Sequence, residues 1–113
     1  MKGFTQEQIV SVVQGAVQEA QQAARAFLQQ HGDRDCCGFA WVNIYGVRSN
    51  SKEGKALQAA GFSKSYDGSL QLWNPSRAGV QSISVLEAGA EAFAKFFKAH
   101  FPEARIYAGS RMD

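Results

Sequence analysis

Few residue types in this chain have chemistry of their own. Cys36 and Cys37 are adjacent, His31 and His100 are the only histidines, and Asp33 and Asp35 flank Arg34. A zinc site needs thiolates two to four residues apart so that both reach one ion. Neighbouring residues entering a strand point to opposite faces, so Cys36 and Cys37 read as small, half-buried thiols and no metal is expected. A nucleophilic cysteine needs a histidine base and an orienting carboxylate, for which His31 or His100 with Asp33 or Asp35 would have to serve. No local signature surrounds either cysteine, and His100 at a helix end is explained by the helix dipole. Asp33 and Asp35 as an acid–base pair have no third acid beside them and read as solvated loop. The glycines are isolated, so neither a P-loop nor a dinucleotide fingerprint is present. The chain is therefore read as non-enzymatic, with no cofactor.

Binding chemistry is better represented. Trp41, Tyr45, Tyr66 and Trp73 fall on or beside predicted strands, near Arg48, Lys64 and Arg77. Rings stack on bases and other flat ligands, and arginine neutralises phosphate. The loop after Trp73 offers Asn74, Ser76 and Arg77, and the C-terminal segment offers Ser110 and Arg111. The expected ligand site is Trp73, Asn74, Arg77, Arg111 and Tyr45, with loop and C-terminal segment converging at one end of a sheet. The competing reading makes Trp41 and Trp73 core residues and the arginines surface charge.

The elements that must position these groups follow from spacing. Thr5 and Gln8 form a capping box, and apolar residues recur at Ile9, Val13, Ala16, Val17, Ala20, Ala24, Phe27 and Leu28, which predicts a helix over 5–31. Its other face is largely glutamine. Residues 38–48 alternate, with Phe39, Trp41, Asn43, Tyr45 and Val47 on one side and Ala40, Val42 and Ile44 on the other, which predicts a central strand by its two apolar faces. Asn50 and Glu53 suggest a short helix to Ala60, with Gly61 as its left-handed cap. Asp67-Gly68 predicts a two-residue hairpin between strands 62–66 and 69–73, which pairs Phe62 with Trp73. Residues 81–85 suggest another strand. Ser84 with Glu87 suggests the start of a helix to His100 that buries Leu86, Ala90, Phe93 and Phe97. Residues 104–108 suggest a last strand, with 109–113 as a short tail.

The 113 residues suit one domain, residues 1–113, with the helix over 5–31 added to a 36–113 core. The expected fold class is α+β: a two-layer sandwich of three helices, the first one long, on a mixed or antiparallel sheet of four or five strands, with a ferredoxin-like arrangement as one option. No apolar run approaches a membrane span, and Met1-Lys2-Gly3 leads into a polar segment, so neither membrane nor signal peptide is expected. The formal charge is +2, too small for a polybasic binder, although residues 48–77 alone carry +3. Two adjacent cysteines make no disulfide framework, which points to a cytoplasmic setting.

At Cys37-Gly-Phe-Ala-Trp-Val42, Gly61-Phe62, Leu72-Trp-Asn-Pro75 and Gly109-Ser-Arg-Met-Asp113, the chain resembles a group of small proteins encoded by tailed bacteriophages. The resemblance covers about residues 36–113. It implies a viral accessory protein acting in a host bacterial cytoplasm, and no established activity. Gly61–Trp73 is also similar to helix-plus-hairpin modules of mobile-element proteins. Three functions follow. The first is a binding module for a nucleotide-like small molecule or a host protein, for instance an anti-defence protein that sequesters a nucleotide signal. The second is a nucleic-acid binder using the basic 48–77 segment. The third is a homodimer joined through the alanine-rich first helix.

Overall fold

The computed structural model describes residues 1–32 and 36–113; Asp33 and Asp35, considered above as acid–base or orienting carboxylates, lie outside the described residues. The chain forms α1 (Gln6–His31), β1 (Gly38–Tyr45), α2 (Lys52–Ala59), β2 (Ser63–Lys64), β3 (Leu70–Trp73), α3 (Ile83–His100) and β4 (Arg105–Met112). The four strands make one antiparallel sheet in the order β2-β3-β1-β4. From β1 onward, strand–helix–strand–strand–helix–strand in this order is the ferredoxin-like arrangement, here preceded by one long helix. The fold is thus an α+β two-layer sandwich. No helix among the described residues is long and apolar enough to cross a membrane.

All three helices contribute to one core, and that core lies on one face of the sheet. Ala40, Val42 and Ile44 of β1, Leu70 of β3 and Ile106 of β4 meet Leu57 of α2 and Phe93 and Phe97 of α3. The α1 stripe joins the same cluster through Ile9, Val13, Ala16, Val17 and Ala20. α1 lies against α3 and α2, not against the sheet. Its capping box is present in both directions, Thr5 Oγ1 accepting from Gln8 N and Gln8 Oε1 from Thr5 N. The alanine-rich stripe proposed for dimerisation is therefore buried within the single chain. At Gly15 a side chain would run into the Phe96 ring, 2.8 Å from the position of a Cβ, so glycine lets α1 and α3 approach closely.

Four sequence expectations change. The hairpin register is one residue off: Ser63 pairs with Gln71 and Lys64 with Leu70. The loop is Tyr66-Asp67-Gly68, closed by Ser65 N to Ser69 O at 2.8 Å, with Gly68 at φ 87°. A three-residue loop with a left-handed third residue is the next commonest hairpin after the two-residue form. Because side chains alternate, one step of register reverses every face. Phe62 accordingly goes into the core, and Trp73 pairs with Trp41 instead. Residues 81–85 are not a strand; Ser82, not Ser84, caps α3, its side chain accepting from Val85 N, and the pairing there among the described residues is a single bridge between Cys37 and Ser82. Within the Ser49-Asn50-Ser51 stretch that offers an N-cap, Ser51 caps α2, its side chain accepting from Gly54 N, in place of the Asn50–Glu53 box. Residues 109–112 are not a tail but the second half of β4, paired with β1 from Gly38↔Met112 to Tyr45↔Arg105.

Candidate functional site

The helices leave the second face of the sheet open. Alternation along β1 puts Phe39, Trp41, Asn43 and Tyr45 there. The pairings add Trp73 opposite Trp41 and Gln71 opposite Asn43 from β3. From β4 they add Arg111 opposite Phe39, Gly109 opposite Trp41, Tyr107 opposite Asn43 and Arg105 opposite Tyr45. None of the four strands contains an Asp or Glu.

The rings touch one another. Trp41 and Trp73 lie 5.0 Å apart at 40°, and Phe39 meets Trp73 edge-on at 5.8 Å. The Arg111 guanidinium stands 5.6 Å from the Phe39 ring centre. Such contacts fix ring orientation and contribute about 0.5–1.5 kcal/mol per aromatic pair. Phe39 is 37% and Trp73 47% exposed, so the cluster is pre-formed yet keeps surface for a ligand. The Trp73 indole N–H donates to Gln71 Oε1 at 2.7 Å, which steadies the ring. Gly109 is required here by close approach: a Cβ on it would stand 2.6 Å from Trp41 Nε1.

Tyr45 belongs to the same face but to its other end, where its ring faces Tyr107 at 5.9 Å. Its hydroxyl donates to Asp67 Oδ2 at 3.2 Å. Partial burial, then the Asp67 carboxylate, push the phenol pKa up. Asp67 accepts from Ser69 Oγ at 2.7 Å and Ser69 N at 3.0 Å, and Ser69 Oγ accepts in turn from the Asn43 amide at 2.7 Å. The Ser69 hydroxyl and backbone N–H hold the Asp67 carboxyl below its ordinary value. A depressed pKa stabilises the fold fully above the unfolded-chain value and loses that contribution as pH falls through the folded one. The native chain therefore loses melting temperature below about pH 4 more steeply than Asp67→Asn does; thermal melts from pH 7 to pH 2 check this.

The five residues expected to bind ligand do not form one group. Trp73 and Arg111 do converge, reaching Phe39 from its two sides. The strand between them is β1. Asn74, at φ 47°, turns the chain out of β3. Its amide is engaged within the loop at both ends, donating to Ala78 O at 3.0 Å and accepting from Ser76 Oγ at 3.4 Å. Arg77 parts from the others. It lines a hollow of about 340 Å³ against α1 with Arg25, Gln21 and Leu28, and a second one with Gln14 and Val17. Neither hollow has an aromatic side chain in its lining. The basic 48–77 segment divides too: Arg48 and Lys64 share a hollow with Tyr66 at the hairpin end, away from the hollows that Arg77 lines.

Cys36 and Cys37 are exposed free thiols, and Cys37 Sγ reaches Gln81 Oε1 at 3.5 Å. His31 stacks on Phe27 at the end of α1, and His100 on Phe96 at the end of α3. Among the described residues no three of His, Cys, Asp and Glu come together as a metal site would require.

Phe39 and Tyr107 were missed as site residues. Alternation within 38–45 was a signal for Phe39, because it shares a face with Trp41. Tyr107 had no such signal, since its position opposite Asn43 is set by pairing between distant segments. The chain matches no family model, no curated protein and no solved structure.

Proposed function

We propose that the protein is a non-catalytic binding module that takes a nucleotide-like anion on the open sheet face. The base stacks at Phe39, Trp41 and Trp73, and Arg111 receives the phosphate. One observation carries the reading: three rings joined through Trp73 stand beside a guanidinium on a helix-free face whose strands carry no acidic side chain. Every base has a π-face, so stacking supplies affinity with little sequence preference. The two central strands present the rings, an arrangement that other four-stranded sheets use to stack bases. The hollows at Arg77 offer charge without rings and suit such a ligand less well. The likeness to phage proteins adds a setting, a bacterial cytoplasm in which sequestering a nucleotide would act against the host.

The test is a titration with nucleosides, nucleoside monophosphates and cyclic dinucleotides, read by tryptophan fluorescence. Saturable quenching is expected. Arg111→Ala weakens the monophosphates about fivefold, as expected for a partly exposed cation near an anion, and leaves the uncharged nucleosides unchanged. Arg77→Ala changes nothing. No quenching across the panel, or loss of binding in Arg77→Ala, overturns the reading.

A further inference from the structure

We infer that the ligand class is single-stranded nucleic acid, bound across two stacking stations on the one face. This rests on the stacking reading above and extends it. The first station is Phe39, Trp41 and Trp73. The second is Tyr45 and Tyr107, whose ring centres lie 5.9 Å apart, with Tyr107 56% exposed. The two are collinear along β1, and each ends in an arginine of β4: Arg111 opposite Phe39, Arg105 opposite Tyr45. Asn43 is buried between them, its register shared by Gln71 of β3 and by Tyr107 of the second station on β4.

Along the strand direction Tyr107, opposite Asn43, lies two residues from the Trp41 register and Tyr45 four, about 7 and 14 Å at the rise of an antiparallel strand. One base cannot lie on both stations. A single strand advances about 3.4 Å per stacked nucleotide and about twice that when extended. The span therefore corresponds to about one or two extended steps or two to four stacked ones, so about two to five nucleotides bridge it. The two arginines are spaced for phosphates at either end of the segment. The strands themselves carry no acidic side chain, and Asp67, at the Tyr45 end of the path, has its carboxylate engaged by Tyr45 and Ser69. Double-stranded nucleic acid does not fit, because its bases are already stacked on each other and are not free to lie on the rings.

Occupying both stations makes the second contact intramolecular, which raises affinity without any new kind of contact. The experiment is a ladder of thymidylate and uridylate oligomers from one to eight nucleotides, titrated by fluorescence on the native chain and on Tyr107→Ala. The native chain gains at least tenfold in affinity between the monomer and the pentamer and then levels off. Tyr107→Ala still takes the monomer at the first station but lacks that step. The two ladders separate recognition of the 2′-hydroxyl from recognition of the strand alone. If the monomer binds and affinity shows no step with length, or the step survives in Tyr107→Ala, the two-station inference is wrong and the nucleotide site stands. If neither monomer nor octamer binds, the stacking reading itself falls and takes this one with it.

Discussion

Trp73→Ala weakens nucleotide binding about 5- to 150-fold, the range that loss of one base-stacking ring produces, while the fold persists. Trp73 sits at the centre of the cluster, in contact with both Phe39 and Trp41. Removing it takes away stacking surface and also the edge that orients Phe39. Half of the ring faces solvent, so little core packing goes with it. The melting temperature thus moves by only a few degrees, as expected for a loss on the order of 1 kcal/mol. Binding by isothermal titration and a thermal melt on the same preparation separate the two effects. An equal loss in both would mean that Trp73 is a packing residue and nothing more.

Phe93→Ala has the largest effect on stability, a loss of about 3–5 kcal/mol. Phe93 is fully buried, between Phe62 at 6.1 Å and the parallel ring of Phe97 at 6.3 Å. It sits where α3, the end of α2 and the sheet meet, so no neighbouring side chain can fill the space without moving an element. Against a total stability of about 5–15 kcal/mol for a domain, the loss removes a large share. The melting temperature falls by about 12–25 °C. Binding by the fraction that remains folded is unchanged, because Phe93 lies beneath the opposite face of the sheet. Denaturant unfolding at neutral pH measures the first effect, and titration well below the new melting temperature measures the second.

The helices were legible because their signals are local. Thr5 and Gln8 lie three apart, and the α3 stripe Leu86, Ala90, Phe93 and Phe97 repeats within one segment; both are as expected. The open face was only half legible. Alternation in 38–45 assigns Phe39, Trp41, Asn43 and Tyr45 to one side of a strand, but it does not reveal whether a helix covers that side. The apolar character of both faces pointed to burial on both, yet aromatic rings are as much at home at a wet binding surface. What joined Arg111 to Phe39 is a pairing across some seventy residues of chain, for which the segment Gly109-Ser-Arg-Met held no strong strand signal. Glycine there reads as a strand breaker until the Trp41 indole lying over it is seen. The hairpin failed by one residue because Tyr66-Asp67-Gly68-Ser69 suits both a two- and a three-residue loop. The Asp67 carboxylate, bonded to both the hydroxyl and the N–H of Ser69, selects the longer one.

The most direct test of the open stacking face is a proton–nitrogen spectrum of the two indole N–H groups during titration with a nucleoside monophosphate. The protein has two tryptophans, Trp41 and Trp73, both on that face. Ring currents from a stacked base move both indole signals upfield in a saturable way, together with the backbone amides of residues 39–41 and 109–111. Indole signals that stay fixed while amides around Arg25 and Arg77 shift would contradict the account.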